Sequence, residues 1–161
     1  MAQLLKEGQV VDNSWTTVTE DTNPIPAGDL LLPLQLWLER ENQLSQHQGA
    51  LGVWIQGNED IESVAEQFIT APVIAIQFPK FVDGRGFSTG RLLRERFGYQ
   101  GELRAIGEII RDQLYLLQRC GFNAFELSPE VDLAEASQSL SDFTDAYQVA
   151  VDQPVPLFKR R

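Results

Sequence analysis

The chain has one cysteine (Cys120), one histidine (His47) and one methionine among its 161 residues. A single cysteine excludes an internal disulfide, and the four-cysteine clusters that hold zinc or iron–sulfur centres cannot form within one chain. The histidine stands between Gln46 and Gln48. A Ser-His-Asp triad would therefore have to be built on a polar loop. Long apolar runs are also missing: the run at residues 30–34, for one, is interrupted by Pro33 and falls far short of a membrane span. The start, Met1-Ala2-Gln3-Leu4-Leu5-Lys6-Glu7, has no charged leader followed by an apolar stretch. It does not read as a signal peptide, and a cytoplasmic location is expected. Positive charge is the scarcer sign, with 13 Lys and Arg against 23 Asp and Glu and a formal net charge of -10. Neither nucleic-acid phosphates nor an acidic membrane attracts such a chain.

A hydrophobic content of 43% and a charged content of 22% suit a globular protein, and the length suits one domain with its own core. The expected division is a single α/β domain over residues 1–150 followed by an extended tail, 151–161, whose prolines forbid a helix. Residues 9–19, with the β-rich Trp15-Thr16-Thr17-Val18, predict an N-terminal hairpin. Residues 20–28 are rich in Asp, Pro and Gly and read as a connector.

From residue 29 to residue 150 short apolar runs alternate with helical periodicity. Strands are expected at residues 30–32, 51–55, 73–76, 103–106 and 124–127, because each run is short, apolar and bounded by turn signals. The first helix is expected over residues 33–46. A second is expected after Asn58, where Ile61, Val64, Ala65, Phe68 and Ile69 form one buried stripe. A third should start at Ser88, with Phe87 and Leu92 as a hydrophobic staple, and end at Gly98. A fourth should span residues 108–119, turning Ile110, Leu114 and Leu117 inward and stopping at Gly121. The last should start at Asp132 with Glu135 in a capping box, its inner side formed by Leu133, Ala136, Leu140 and Phe143. About five successive βα units imply parallel strands with helical crossovers. A partial (β/α) barrel is favoured over an open flavodoxin-like sheet, because every connection is short and none marks a switch in strand order. The hairpin, or a second copy of the chain, would cover its open edge.

Residues 80–119 hold eight basic and five acidic side chains, a local excess in an acidic chain. Ligands of parallel α/β folds bind beyond the carboxyl ends of the strands. The segment Phe78-Pro79-Lys80-Phe81-Val82-Asp83-Gly84-Arg85-Gly86-Phe87-Ser88 leaves the third strand there and enters a helix. Gly84 and Gly86 permit close backbone approach, and the amides near Ser88 and Arg91 face outward. Lys80 and Arg85 add charge, so Lys80, Arg85, Gly86, Ser88, Arg91 and Arg104 are the anion-binding candidates. The competing reading is an Asp83-Gly84 turn with Arg85 paired to an acid, and for Arg104 a pair with Glu126 or Asp83. Asp83, Arg111 and Asp112 are further cleft candidates. Glu108, Asp112, Tyr115 and Arg119 share a helix face, solvated or contacting a second copy in a homodimer. Cys120 reads as a small core residue, His47 as exposed, and Trp37 and Trp54 as packing residues. No metal site is expected.

The run FPKFVDGRGFSTGRLLRERFGYQGELRAIGEIIRDQLYLLQRCGFNAFEL (residues 78–127), with PLQLWLER around Trp37, resembles an uncharacterised bacterial family described as oxidoreductases of sulfite reduction. The resemblance implies a gene neighbourhood of sulfite reductase and sulfate assimilation, and it brings no catalytic residues with it. One cysteine and one histidine cannot ligate a haem or iron–sulfur cluster by the usual means, and no Gly-x-Gly-x-x-Gly follows a strand. Three functions stay open. The first is an accessory protein of sulfite reduction or sulfate assimilation that binds an oxyanion or a partner such as sulfite reductase. The second is an oxidoreductase with a non-covalent cofactor such as flavin. The third is a non-redox enzyme acting on a phosphorylated or sulfated metabolite.

Overall fold

A computed structural model describes residues 3–22, 24–39, 44–78 and 84–140. Two short strands, β1 (Gln3–Lys6) and β2 (Gln9–Asp12), pair antiparallel. The two-residue turn between them, Glu7-Gly8, has φ of 50° and 81°, the left-handed pair that matches hairpin twist. Six strands follow: β3 (Thr16–Thr17), β4 (Leu30–Pro33), β5 (Leu51–Gln56), β6 (Val73–Phe78), β7 (Glu102–Gly107) and β8 (Ala124–Phe125). They pair in parallel, each beside the next in sequence. The hairpin joins β8 antiparallel through β1, giving one eight-stranded sheet in the order β2-β1-β8-β7-β6-β5-β4-β3.

The edge strands β2 and β3 are thus seven neighbours apart in the sheet, yet only residues 13–15 separate them in sequence. A flat sheet would put them roughly 33 Å apart at the usual strand spacing. Four Cα–Cα steps reach about 14 Å at most. The sheet must therefore curl, and it forms a half-barrel.

Four α-helices lie among the described residues: α1 (Leu34–Glu39), α2 (Arg85–Glu95), α3 (Leu114–Arg119) and α4 (Leu133–Ser139). Alternate strand residues such as Val53, Ile55, Ile74, Ile76, Leu103, Ala105 and Phe125 face the main core, which is shared with Leu93, Leu114, Leu117 and Ala136. The opposite, concave face carries Leu31, Val73, Ala75 and Ile106, with Trp15 and Trp54 packed on them. The Trp54 indole donates to the Val18 carbonyl at 2.8 Å, and that of Trp37 to the Gln67 carbonyl at 3.1 Å. Both are packing residues, as expected.

Several helix expectations need correction. Residues 58–69 form turns and one 3-10 turn, Ala65–Gln67, in place of a helix. Ile61, Ala65 and Phe68 are still buried, so the apolar spacing marks the packed side without enforcing helical bonds. The segment leading into α3 is a 3-10 turn, Arg111–Gln113. Ile109 enters the core, and Ile110 is 59% exposed. The third helix starts at Arg85 with Gly84 as N-cap, so Ser88 is one turn inside and Phe87 and Leu92 are not a staple. At α4 the forecast cap is present: the Asp132 side chain accepts from the amides of Ala134 and Glu135. Gly98 and Gly121 follow α2 and α3 with φ of 66° and 105°. Phe143 and residues 151–161 lie outside the described residues. No helix among the described residues is long and apolar enough to cross a membrane.

Helix α2 buries a face of small residues. A Cβ on Gly86 would stand 2.5 Å from the Phe78 ring, and one on Gly90 2.4 Å from the Phe122 ring. Thr89 between them donates its hydroxyl to the carbonyls of Gly57 and Arg85, at 3.2 and 2.9 Å. From the last turn of the helix, Arg94 gathers the carbonyls of Tyr99, Gly101 and Gly121 at 2.8–2.9 Å. The Tyr99 hydroxyl lies 2.9 Å from the Ala71 carbonyl and 3.1 Å from that of Glu102. Burial pushes the phenol of Tyr99 well above its usual range, opposed by the Arg94 charge, and burial pulls Arg94 down.

Gly→Ala in a helix normally stabilises, but at Gly90 the buried Phe122 ring leaves no room. Gly90→Ala should cost about 1–3 kcal/mol in urea denaturation. Gly84→Ala meets nothing within 4 Å and should be neutral or stabilise by about 0.4–1 kcal/mol. The raised pKa of Tyr99 means that its unfolded phenol ionises first. Stability should be intact below about pH 10 and fall above it. Tyr99→Phe should remove that alkaline decline in a pH series of urea melts, at the expense of lower stability at neutral pH.

Candidate functional site

The carboxyl ends of β5, β6 and β7 define the edge where a ligand was expected. Gly57 follows β5, and its Cβ would meet the Gly86 backbone at 3.0 Å. The start of α2 is therefore pressed onto the end of β5. Gly86 makes its close approach to Phe78 and Gly57, the protein's own atoms, and is buried. Gly84 and Arg85, by contrast, are exposed. The first helical bond of α2 runs from the Ser88 amide to the Gly84 carbonyl at 3.5 Å, and the N-cap, Gly84, has no side chain with which to cap the helix. The amides ahead of that bond, at the first turn, are the ones with no partner inside the helix. The electropositive amides thus sit three residues earlier than the sequence suggested. Lys80 and Asp83 lie outside the described residues.

The other candidates do not gather at that point. Ser88 is exposed one turn along α2. Arg91 points outward and pairs with Glu95 at i+4, its Nε 3.2 Å from both carboxylate oxygens. Arg111 and Asp112 follow β7, the strand beside β6, and are exposed, with Arg111 at 4.0 Å from Glu135. None of three surface clefts, of about 510, 490 and 590 Å³, is lined by Arg85, Arg91, Arg104 or Arg111.

Arg104 departs most from expectation. It stands in mid-strand on the concave face and is 1% exposed. In register its neighbours are Ala75 on β6 and Ala124 on β8, and Ala124 in turn pairs with Lys6 of β1. The two alanines leave space for the guanidinium. Its Nε and Nη2 both lie 2.8 Å from the Glu102 carboxylate, and Nη1 donates to the Asn13 side-chain oxygen at 3.1 Å. Lys6 meets the other Glu102 oxygen at 3.2 Å, and Asn13 also accepts from the Trp15 amide at 3.1 Å. The partner is therefore Glu102, two residues back on the same strand face, where Glu126 or Asp83 had been considered. Residues 13–15, which force the curl, are held across the concave mouth by this ion pair.

Sequence reasoning passed over Glu102, Asn13 and Lys6. The signal was available: Glu102-Leu103-Arg104-Ala105 alternates charge with apolar residues at the strand period, with alanines at the flanking positions. Cys120 is buried in the main core, and His47 is half-buried with Nε2 2.6 Å from the Gly28 carbonyl. The proposed stripe has Glu108 and Asp112 exposed and Tyr115 and Arg119 half-buried. Among the described residues no group of three or more His, Cys, Asp or Glu could hold a metal ion.

Arg104→Met leaves Glu102 buried with only Lys6 beside it. The expected loss is about 3–5 kcal/mol in equilibrium unfolding. The double change Arg104→Met with Glu102→Leu should lose much less, because no buried charge is stranded. If both variants lose the same amount, the cost lies in losing Arg104 and its bond to Asn13, and not in a stranded Glu102 charge.

No curated protein and no solved structure matches the chain. A family model describing bacterial proteins of unknown function (DUF934) matches residues 52–158, from β5 through the described end of the chain and beyond. That is well over half of the sequence, and the chain belongs to this bacterial family.

Proposed function

We propose that the protein is an accessory factor of sulfite reduction and sulfate assimilation, which engages a small oxyanion, or the enzyme that handles one, at the start of α2. The observation that carries this reading is the first turn of an eleven-residue helix, which starts from a glycine N-cap beside the exposed Arg85 at the carboxyl edge of β6. Aligned amides and a guanidinium suit a tetrahedral or pyramidal anion. The turn lies within the stretch that resembles the sulfite-reduction family. A protein partner is favoured by a second observation: Ile110, which follows β7, and Leu116 in α3 are 59% and 54% exposed, apolar surface of a kind that binding commonly covers.

Thermal melts of the full chain with sulfite, sulfate and phosphate test the anion. A ligand at 100 times its Kd adds about 2.7 kcal/mol. Arg85→Ala should weaken binding about tenfold or more, the value of one charge-assisted hydrogen bond. Recovery of sulfite reductase or another sulfate-assimilation enzyme from sulfate-limited cells, lost when Ile110 and Leu116 become serine, tests the partner. No thermal shift with any of the three anions, together with no such enzyme recovered, would sink the reading. Yellow purified protein with bound flavin would replace it with a redox function.

A further inference from the structure

A cleft of about 590 Å³ lies at the opposite end of the sheet from the start of α2, where β7 and β8 begin. The Glu7-Gly8 turn and the last turns of α2 and α3 surround it. A cleft of that size suits one small molecule. Phe122 and Leu140 give it apolar wall, and Glu7, Arg94, Gln118 and Asn123 give it polar groups. Arg94 is held rigidly there. Its Nε donates to the Gly121 carbonyl and its Nη1 to those of Tyr99 and Gly101, with the guanidinium 5.3 Å from the Tyr99 ring centre. These bonds use every N–H on Nε and Nη1. Among the described residues nothing accepts from Nη2, and no carboxylate pairs with the charge. All the acceptors are neutral carbonyls, so a half-buried positive charge has hydrogen bonds but no opposite charge.

Asn123 is fixed as firmly. Its side-chain oxygen accepts from the Leu103 amide at 2.9 Å, and its own amide donates to the Leu103 carbonyl at 3.0 Å. Its carbonyl accepts from the Glu7 amide at 2.9 Å, which brings the hairpin turn to the cleft. Because the oxygen is committed to Leu103, the other end of the carboxamide is Nδ2, and it has no acceptor among the described residues. The Gln118 side chain has no partner among them either. Donors therefore outnumber acceptors in this cleft, and two of the donor groups are locked in place. Glu7 is the one acid in its lining. Its charge opposes a second negative charge on a ligand, so a singly charged carboxylate fits better than a dianion such as sulfate.

We propose that this cleft binds a small organic monocarboxylate. The carboxylate accepts from Arg94 Nη2 and Asn123 Nδ2, and the apolar body of the ligand lies against Phe122 and Leu140. Both donors are ordered before the ligand arrives, which keeps the cost of binding low. The site stands apart from the start of α2, and a ligand in it leaves that edge of the sheet open.

Side-chain NMR signals of the full chain test this, with phenylacetate as the probe and phenylacetamide as its uncharged control. Phenylacetate should shift the Asn123 Nδ2 and Arg94 Nε resonances saturably. Its Kd should be on the order of 1 mM, within reach of a ligand of about ten non-hydrogen atoms. Phenylacetamide should bind about tenfold more weakly or worse, for want of a charge-assisted bond. Asn123→Asp keeps the acceptor for the Leu103 amide and puts a negative oxygen where Nδ2 stood. Read at Arg94 Nε, it should weaken phenylacetate about tenfold or more. Gln118→Glu breaks no side-chain bond among the described residues, so it serves even if the Asn123→Asp chain fails to fold. It should weaken phenylacetate about threefold or more, and Glu7→Gln should tighten it. No saturable shift with phenylacetate overturns the proposal, as do equal shifts from the acid and its amide. Undiminished binding by Gln118→Glu, or sulfate acting at these side chains as strongly as phenylacetate, overturns it too.

Discussion

Three residues between the two edge strands govern this molecule. Residues 13–15 must bridge what would be the full width of an eight-stranded sheet, and a chain that short can do so only if the sheet rolls up. The roll creates an interior too narrow for solvent-facing side chains. Trp15 and Trp54 fill one part of it, and the Arg104–Glu102 pair fills the other. Geometry and electrostatics then reinforce each other. Curvature brings Asn13 over β7, and Arg104, anchored to Glu102, keeps Asn13 there. Desolvating a guanidinium is costly, so the pair contributes to stability mainly by being complete, with both partners and the bridging amide in place.

The helical layer follows a different rule. Where α2 crosses β6 and the loop after β5, small residues at positions 86, 89 and 90 let the helix settle against aromatic rings. Phe78 packs with Phe87 and Phe122 at centroid separations of 5.2 and 5.7 Å. The same closeness fixes the direction in which the first turn of α2 points. An anion bound there, as proposed above, would be positioned by packing beneath the helix, through Gly57 and Gly86 as much as through any charged group.

The alternation of strands and helices, the parallel pairing and the caps at Asp132, Gly98 and Gly121 were legible in the sequence, because each depends on local chemistry. Apolar spacing also identified the buried side of residues 61–68 correctly. It could not tell a helix from a chain of turns, since Ile61, Ala65 and Phe68 can reach the core from either. Ile109 and Ile110 were indistinguishable until the 3-10 turn set their phase. At the candidate site, Gly84, Gly86 and Arg85 were singled out for the right position on the sheet. The role of Gly86 was hidden, because a glycine that packs on a ring and one that admits a ligand look alike in a single sequence. Arg104 was read as a cleft residue because its lock depends on Asn13, 91 positions away, a pairing no local pattern encodes.

The hairpin has a consequence for how the chain is made. Leu5 pairs with Phe125 and Lys6 with Ala124, so the first strand to leave the ribosome waits for nearly the last. At about 5–20 residues per second that delay is several seconds, during which β1 and β2 can hold only each other. Contacts so remote in sequence slow folding, and the curled sheet reaches its final shape only after synthesis has passed β8. A nascent chain of this protein therefore carries an incomplete sheet edge until β8 has been made.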